Sequence, residues 1–245
     1  VQRYTISDAL VLRRAPLPSG DVVVTLLSEH GKWRAVARKG RLPGGNLARL
    51  SLFHDVTVQA YRRREDDLAV LTQVRLNGAL PGLTRPESYP YAHLVAELAD
   101  ALSVDVHVGE RLLAVVSSGL RGIGQHPDPE AVALAYAWYL VTLAGLAPLV
   151  HGANPPRCDR CGAPATVLAA ASGALRCIEH GDGPRDAFLG EDGAQALAMA
   201  LAGPLRTSVA QPPSERGRAW RALHAYLREH VGEVRALQGL TQASP

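Results

Sequence analysis

Residues 54–62 read His54-Asp55-Val56-Thr57-Val58-Gln59-Ala60-Tyr61-Arg62. Val56, Val58 and Ala60 occupy alternate positions, with Asp55, Thr57, Gln59 and Tyr61 on the others. A period of two sends successive side chains to opposite faces of an extended chain, so the stretch reads as a strand with one apolar and one polar face. Four more segments of strand length, rich in Val and Leu and bounded by turn residues, occupy residues 8–14, 21–28, 32–39 and 68–76. His30-Gly31 marks a tight hairpin between the second and third. Five antiparallel strands within residues 1–80 fit a small closed barrel. The OB-fold, a five-stranded barrel used for single-stranded nucleic acid, is the leading form, with an SH3-like barrel as the other.

The charge distribution sharpens that reading. Residues 1–80 carry thirteen Lys or Arg against seven Asp or Glu, whereas residues 81–245 carry thirteen against sixteen. The basic excess therefore belongs to the barrel, and a basic surface selects polyanions, of which nucleic acid is the commonest. In an OB-fold the binding surface lies on strands two and three and on the loops joining strands one to two and four to five. Parity along the third strand puts Lys32, Arg34 and Arg38 on one face and Trp33, Ala35 and Ala37 on the other. Arg13 and Arg14 open the first loop, Arg62, Arg63 and Arg64 the last, and Lys39 and Arg41 begin a Gly-rich stretch. These ten residues are the candidate phosphate contacts, since each cation that meets a phosphate releases counterions. Asp66 and Asp67 follow the arginine triplet and offset part of its charge. Aromatic platforms are scarce: Trp33 shares the apolar face, and Tyr61, on the polar face, is the better stacking candidate.

After Leu80-Pro81-Gly82 the composition turns helical. Leu94, Val95, Leu98 and Leu102 form a stripe within residues 91–102, and a shorter run covers residues 110–116, ahead of Gly119-Leu120-Arg121-Gly122. Residues 131–150 hold no charge and are long enough to cross a bilayer. Asp128-Pro129-Glu130 instead supplies the cap and first-turn proline of a soluble helix, which, being apolar all round, belongs at the centre of a helical domain. Residues 192–202 form another amphipathic run, stopped by Gly203-Pro204, and residues 214–237 read as one last helix with Trp220, Leu223, Leu227, Val231 and Val234 on its apolar face. Arg221, Arg228 and Arg235, seven apart, line up along it. His93 and His107 are lone histidines on helices and read as structural or solvated. The N-terminus has no apolar run behind Arg3 and does not read as a signal peptide.

All three cysteines fall within Cys158-Asp159-Arg160-Cys161 and Cys177-Ile178-Glu179-His180. CxxC and CxxH separated by fifteen residues match a closed tetrahedral zinc site with Cys158, Cys161, Cys177 and His180 as ligands. Gly162 and Gly181 follow the two pairs. Four protein ligands leave no position for water, so the metal reads as structural; a catalytic zinc and an unmetallated Cys177 nucleophile beside a His are the alternatives. Metal-binding spacing also points to a reducing compartment. No phosphate-binding Gly-rich loop, nucleophile elbow or paired acidic motif is present. The chain reads as an α+β multidomain protein: a barrel over residues 1–80, a helical domain over 81–150 and 191–245, and a zinc-binding loop over 151–190 set inside that domain.

Gly31-Lys32 with Ala37-Arg38-Lys39-Gly40 at the second hairpin, residues 91–98 in the first helix, and Gly145-Leu146-Ala147-Pro148-Leu149 leading into Cys158-Asp159-Arg160-Cys161-Gly162 occur in the order found in one known family. Through them the chain resembles RecO, the bacterial recombination mediators, over nearly its whole length. The resemblance implies an N-terminal OB-fold, a helical domain and a zinc knuckle. It further implies a non-enzymatic role: binding single- and double-stranded DNA without sequence specificity, annealing complementary strands, and working with RecR to load RecA onto strands coated by single-strand-binding protein. A bacterial cytoplasmic, nucleoid-associated location follows, with no membrane partner. The usual fourth cysteine of the family is His180 here, and His151 is the other histidine nearby. A zinc-dependent hydrolase and a transcription factor reading DNA through the knuckle are the competing functions.

Overall fold

A computed structural model describes residues 4–64, 68–103, 109–152, 155–202 and 213–243. Asp66, Asp67, His107 and the Gly203-Pro204 stop lie outside the described residues. Strands β1 (Tyr4–Pro16), β2 (Val22–Ser28), β3 (Gly31–Ala37), β4 (Asp55–Tyr61) and β5 (Ala69–Gly78) close into a barrel in the order β1-β2-β3-β5-β4. This is the five-stranded OB-fold. Val56, Val58 and Ala60 point into it, as their alternation requires, and join Val11, Val24, Leu26 and Ala35 in its core. One pairing departs from the antiparallel expectation: β3 and β5 run parallel through Ala35–Ala69 and Val36–Val70. A parallel pair needs a crossover connection, which the chain makes here through β4, and it is this pairing that shuts the barrel.

The outer face of the barrel is also apolar where β1 and β2 meet the rest of the chain. Leu10, Leu12 and Leu27 leave the barrel core and join the core of the helical part. For this reason β2 is buried on nearly every residue rather than on alternate ones. The helical part begins with a 3-10 turn at Pro81–Thr84, followed by α1 (Tyr89–Leu102), α2 (Gly109–Gln125) and α3 (Pro129–Leu143). Asp128 caps α3 by accepting from the Ala131 amide at 3.1 Å. Every residue from Ala131 to Val141 except Tyr139 is buried, so the uncharged stretch is the centre of a helical core. No described helix is long and apolar enough to cross a membrane.

Two helical expectations are corrected. The second helix does not stop before Gly119 but runs on to Gln125. A side chain at Gly119 would meet the Tyr136 ring at 2.8 Å, so the glycine serves the close approach of α2 to α3 rather than a turn. The segment at 214–237 is two helices: α5 (Pro213–His230) and α6 (Arg235–Ala243), which follow α4 (Gly190–Ala202). The break lies at Gly232, whose φ of 119° no helix accommodates. Arg221 and Arg228 thus share a helix, while Arg235 opens the next, and the seven-residue arginine line does not exist.

Between α3 and α4 the chain makes a small sheet of β6 (Val167–Ala169), β7 (Ala174–Arg176) and β8 (Ala187–Phe188), in the order β7-β6-β8. Leu168, Leu175, Ala187 and Leu189 sink into the helical core. The cysteine-bearing excursion is rooted in the same core as the helices.

Candidate nucleic-acid interface and metal centre

Cross-strand register decides which cations share a surface. Arg13 on β1 stands opposite Thr25 on β2, and Thr25 stands opposite Arg34 on β3. Two exposed guanidinium groups therefore flank one buried threonine across three adjacent strands, and they line a concavity of about 260 Å³ with Ala15, Val23, Lys32 and Asp100. Neither Arg13 nor Arg34 pairs with a carboxylate among the described residues. On β3, Lys32 and Arg34 point out while Ala35 and Ala37 are buried, as parity requires. Trp33 packs on the barrel core, with its indole N–H donating to Ser28 Oγ at 3.2 Å.

Lys32 is differently placed from its neighbours. Its Nζ lies 3.0 Å from Asp100 Oδ1 and also donates to the Asp100 carbonyl, tying the barrel to α1. Sequence reasoning had no signal for this pairing across sixty-eight positions. Arg14 is exposed and, among the described residues, reaches only the Ser51 hydroxyl, at 3.4 Å. Arg38, Lys39 and Arg41 are exposed on the loop after β3. That loop is tied to the β1–β2 loop: the Lys39 amide donates to Asp21 Oδ1 at 2.8 Å and the Arg41 amide to the Gly20 carbonyl at 3.0 Å. The Lys39 amide, with Ser19 behind it, holds the Asp21 carboxyl below its usual value. Lys39 itself sits at a φ of 53°, a conformation that few residues other than glycine adopt. Arg62, Arg63 and Arg64 are exposed after β4. Tyr61, beside them, lies 5.1 Å from the Tyr4 ring.

The cysteines converge although their two halves come from separate turns. Gly162, at a φ of 74°, lets its amide close back on the Cys158 carbonyl at 2.9 Å, and the His180 amide closes on the Cys177 carbonyl at 3.1 Å. The Sγ atoms of Cys158, Cys161 and Cys177 and a ring nitrogen of His180 all lie within 4.8 Å of one another. Two thiolates on one tetrahedral zinc stand about 3.8 Å apart. Here Cys161 Sγ and Cys177 Sγ are 3.7 Å apart, and His180 Nδ1 is 3.2 Å from Cys177 Sγ and 3.8 Å from Cys158 Sγ. Three sulfurs and one imidazole at these separations fit a zinc ion. Burial works against the Cys158 thiolate, but the amides of Cys177, Arg160 and Cys161 outweigh it and bring the thiol down to about 6. His151 is exposed and stands outside the cluster.

A second layer, invisible in the spacing, holds the two turns together. Arg176 is buried, with Nε donating to Asp159 Oδ1 at 3.0 Å and Nη1 to Asp182 Oδ1 at 2.8 Å. Asp159 belongs to the first cysteine turn and Asp182 follows the second, so one guanidinium bridges both. Such outer partners orient ligands as much as the ligands' own backbone does.

Residues 3–79 match the family model described as Recombination protein O N terminal, and residues 83–237 match Recombination protein O C terminal. The "DNA repair protein RecO" of Cutibacterium acnes is 32% identical over 166 residues, which cover 64% of this chain and 65% of that protein. The protein of the same name from Moorella thermoacetica is 25% identical over 180 residues, 71% of this chain and 65% of the relative. That of Roseiflexus sp. is 27% identical over 241 residues, 93% of this chain and 81% of the relative. The match thus spans just under two thirds of the length of the first two relatives.

Proposed function

The chain belongs to the RecO family of DNA repair proteins, and from that premise we propose that its barrel is a sequence-independent surface for single- and double-stranded DNA. On this reading the protein anneals complementary strands and, with RecR, helps to load RecA onto DNA coated by single-strand-binding protein. The observation that supports it is the Arg13–Thr25–Arg34 ladder: two exposed guanidinium groups on one face of three strands, with no carboxylate paired to either among the described residues. Guanidinium groups bind phosphate oxygens through paired N–H donors, and a contact to phosphate carries no sequence information. Annealing follows because cations that neutralise backbone phosphates reduce the repulsion between two strands while the base edges stay free to pair. Arg38, Lys39 and Arg41, on a loop fastened beside this face, and Arg62 to Arg64, which leave β4 level with the end of β3, would extend the contact.

The zinc ligands would be Cys158, Cys161, Cys177 and His180, and the ion would act as a cross-link between two turns. Four converging protein donors leave a tetrahedral ion no place for a reacting water, which favours this role over a hydrolase. The division into a barrel over residues 1–80, helices over 81–150 and 191–245, and a metal loop over 151–190 belongs to the same proposal.

Binding of a fluorescent oligonucleotide, titrated across salt concentrations, tests the reading. The logarithm of affinity should fall with the logarithm of salt by about 0.7 for each phosphate contacted on a single strand. Replacing both Arg13 and Arg34 with Gln should weaken binding by at least tenfold at low salt, flatten that slope by about 1.4, and slow the annealing of complementary oligonucleotides. Unchanged affinity and slope in a folded double variant would remove the barrel face from the function.

A further inference from the structure

The concavity on the barrel does not end at the barrel. A second one, of about 430 Å³, lies between β1 and the helices and shares Arg13 and Asp100 with the first. The two adjoin at these residues and together run from the β2–β3 face over α1 to the start of α6. Its far end is Arg235, which is exposed. Leu12 and Ala96 form part of its buried floor, and His93, half-buried, stands edge-on to Phe53 and Tyr89 at its side.

Two carboxylates line this groove, and both are committed to the protein's own structure. Asp100 holds Lys32. Glu97 accepts the Arg235 amide on Oε1 at 2.9 Å and the Ala236 amide on Oε2 at 2.8 Å, so it caps the N-terminus of α6. The guanidinium groups are not committed in this way. Among the described residues Arg13, Arg34 and Arg235 have no ion pair, and Arg14 has only the Ser51 hydroxyl. The groove therefore presents four arginines from both ends of the chain, while Asp100 is paired with Lys32 and Glu97 is turned to the amides at the start of α6. Burial also holds the His93 ring below the ordinary imidazole range, so the arginines carry the positive charge there.

We propose that a single DNA strand laid along the barrel continues through this groove across the seam between barrel and helices, and that Arg235 binds one of its phosphodiesters. The inference rests on the nucleic-acid reading of the barrel and extends it to an element on the opposite end of the sequence. Charge complementarity identifies the occupant: a row of spaced guanidinium groups over an apolar floor suits repeating phosphates. The Glu97 cap fixes where α6 begins and hence where Arg235 stands.

Full-length protein with Arg235→Gln, which keeps the capped amide and removes the charge, is compared with Arg34→Gln and Arg235→Lys. The probes are oligothymidines of about 8 and about 20 nucleotides, within and beyond the 4–16 that an OB-fold covers. Arg235→Gln should leave the short oligomer bound as before, weaken the long one several-fold, and lower its log-log salt slope by about 0.7. Arg235→Lys should restore most of both, and Arg34→Gln should weaken both lengths. If Arg235→Gln binds the long strand with unchanged affinity and slope while Arg34→Gln is impaired, the path across the seam is wrong and the barrel reading stands. If neither variant is impaired, both fall. A loss equal on both lengths would place Arg235 off the extended path and overturn the inference too.

Discussion

Arg216 shows how much one side chain at the start of α5 holds. It is buried, donates to Asp128 Oδ1 at 2.9 Å and to Glu130 Oε2 at 3.2 Å, and so clamps the start of α5 to the start of α3. Glu130 also accepts the Trp220 indole N–H at 2.9 Å, and Tyr91 lies 6.3 Å from that indole. Burial, with the Glu130 carboxylate behind it, pushes the Tyr91 hydroxyl up to about 12. Removing the guanidinium leaves the Glu130 and Asp128 carboxylates without their countercharge. Arg216→Ala should cost about 3 kcal/mol, the lower end for a broken buried pair, because Asp128 retains partial exposure; denaturant unfolding measures it. The acid side follows from the sign of the shift. Burial pushes the Asp128 carboxyl up, but Arg216 and the Ala131 amide outweigh it and place its folded pKa below 3.8. A carboxylate lowered by folding stabilises the fold above its unfolded pKa and loses that contribution as pH falls through the folded one. The wild-type protein should therefore lose this stability only below about pH 4, and the difference between it and Arg216→Ala should narrow there.

At the scale of the element, the cysteine-bearing loop is the clearest case of a structure held from two sides. Leu168 and Leu175 bury it in the helical core from beneath, and the cysteine cluster with the Arg176 bridge closes it from above. Its sequence reads as too poor in apolar residues to fold on a core of its own; the structure shows that it shares the helical one. Zinc in a thousandfold excess over its dissociation constant stabilises a site by about 4 kcal/mol. Cys158→Ser, or chelation of the metal, should lower the unfolding midpoint accordingly and expose the loop to protease, while the barrel's affinity for oligonucleotide changes by less than twofold. Loss of DNA binding in a variant that remains folded would give the loop a direct part in the interface.

For the whole molecule the decisive joint is the seam. Leu10, Leu12 and Leu27 pack outward from the barrel into the helical core, and the Lys32–Asp100 pair sits beside them. Because Asp100 neutralises a cation that lines the groove, Asp100→Asn should uncover the Lys32 charge even though the residue 100 carbonyl still accepts from its Nζ. Oligonucleotide binding at low salt should tighten about two- to fivefold, with a salt slope steeper by about 0.7, at a stability cost under about 1 kcal/mol for a partly exposed pair. Equal affinity would mean that Lys32 lies out of reach of the strand. Much of this molecule can be read along the chain. The Val56–Val58–Ala60 alternation, the Asp128 cap and the CxxC and CxxH pairs each depend on a few consecutive residues, whose periodicity or spacing is the same before and after folding. The resemblance to RecO rests on the order of such local signs. The parallel closure of β3 on β5, the straight run of α2 past Gly119, the break at Gly232, the Arg176 bridge and the groove from Arg34 to Arg235 depend instead on which distant surfaces meet. Those surfaces are chosen by the burial of apolar faces far apart in sequence, and no window of neighbouring residues contains that energy.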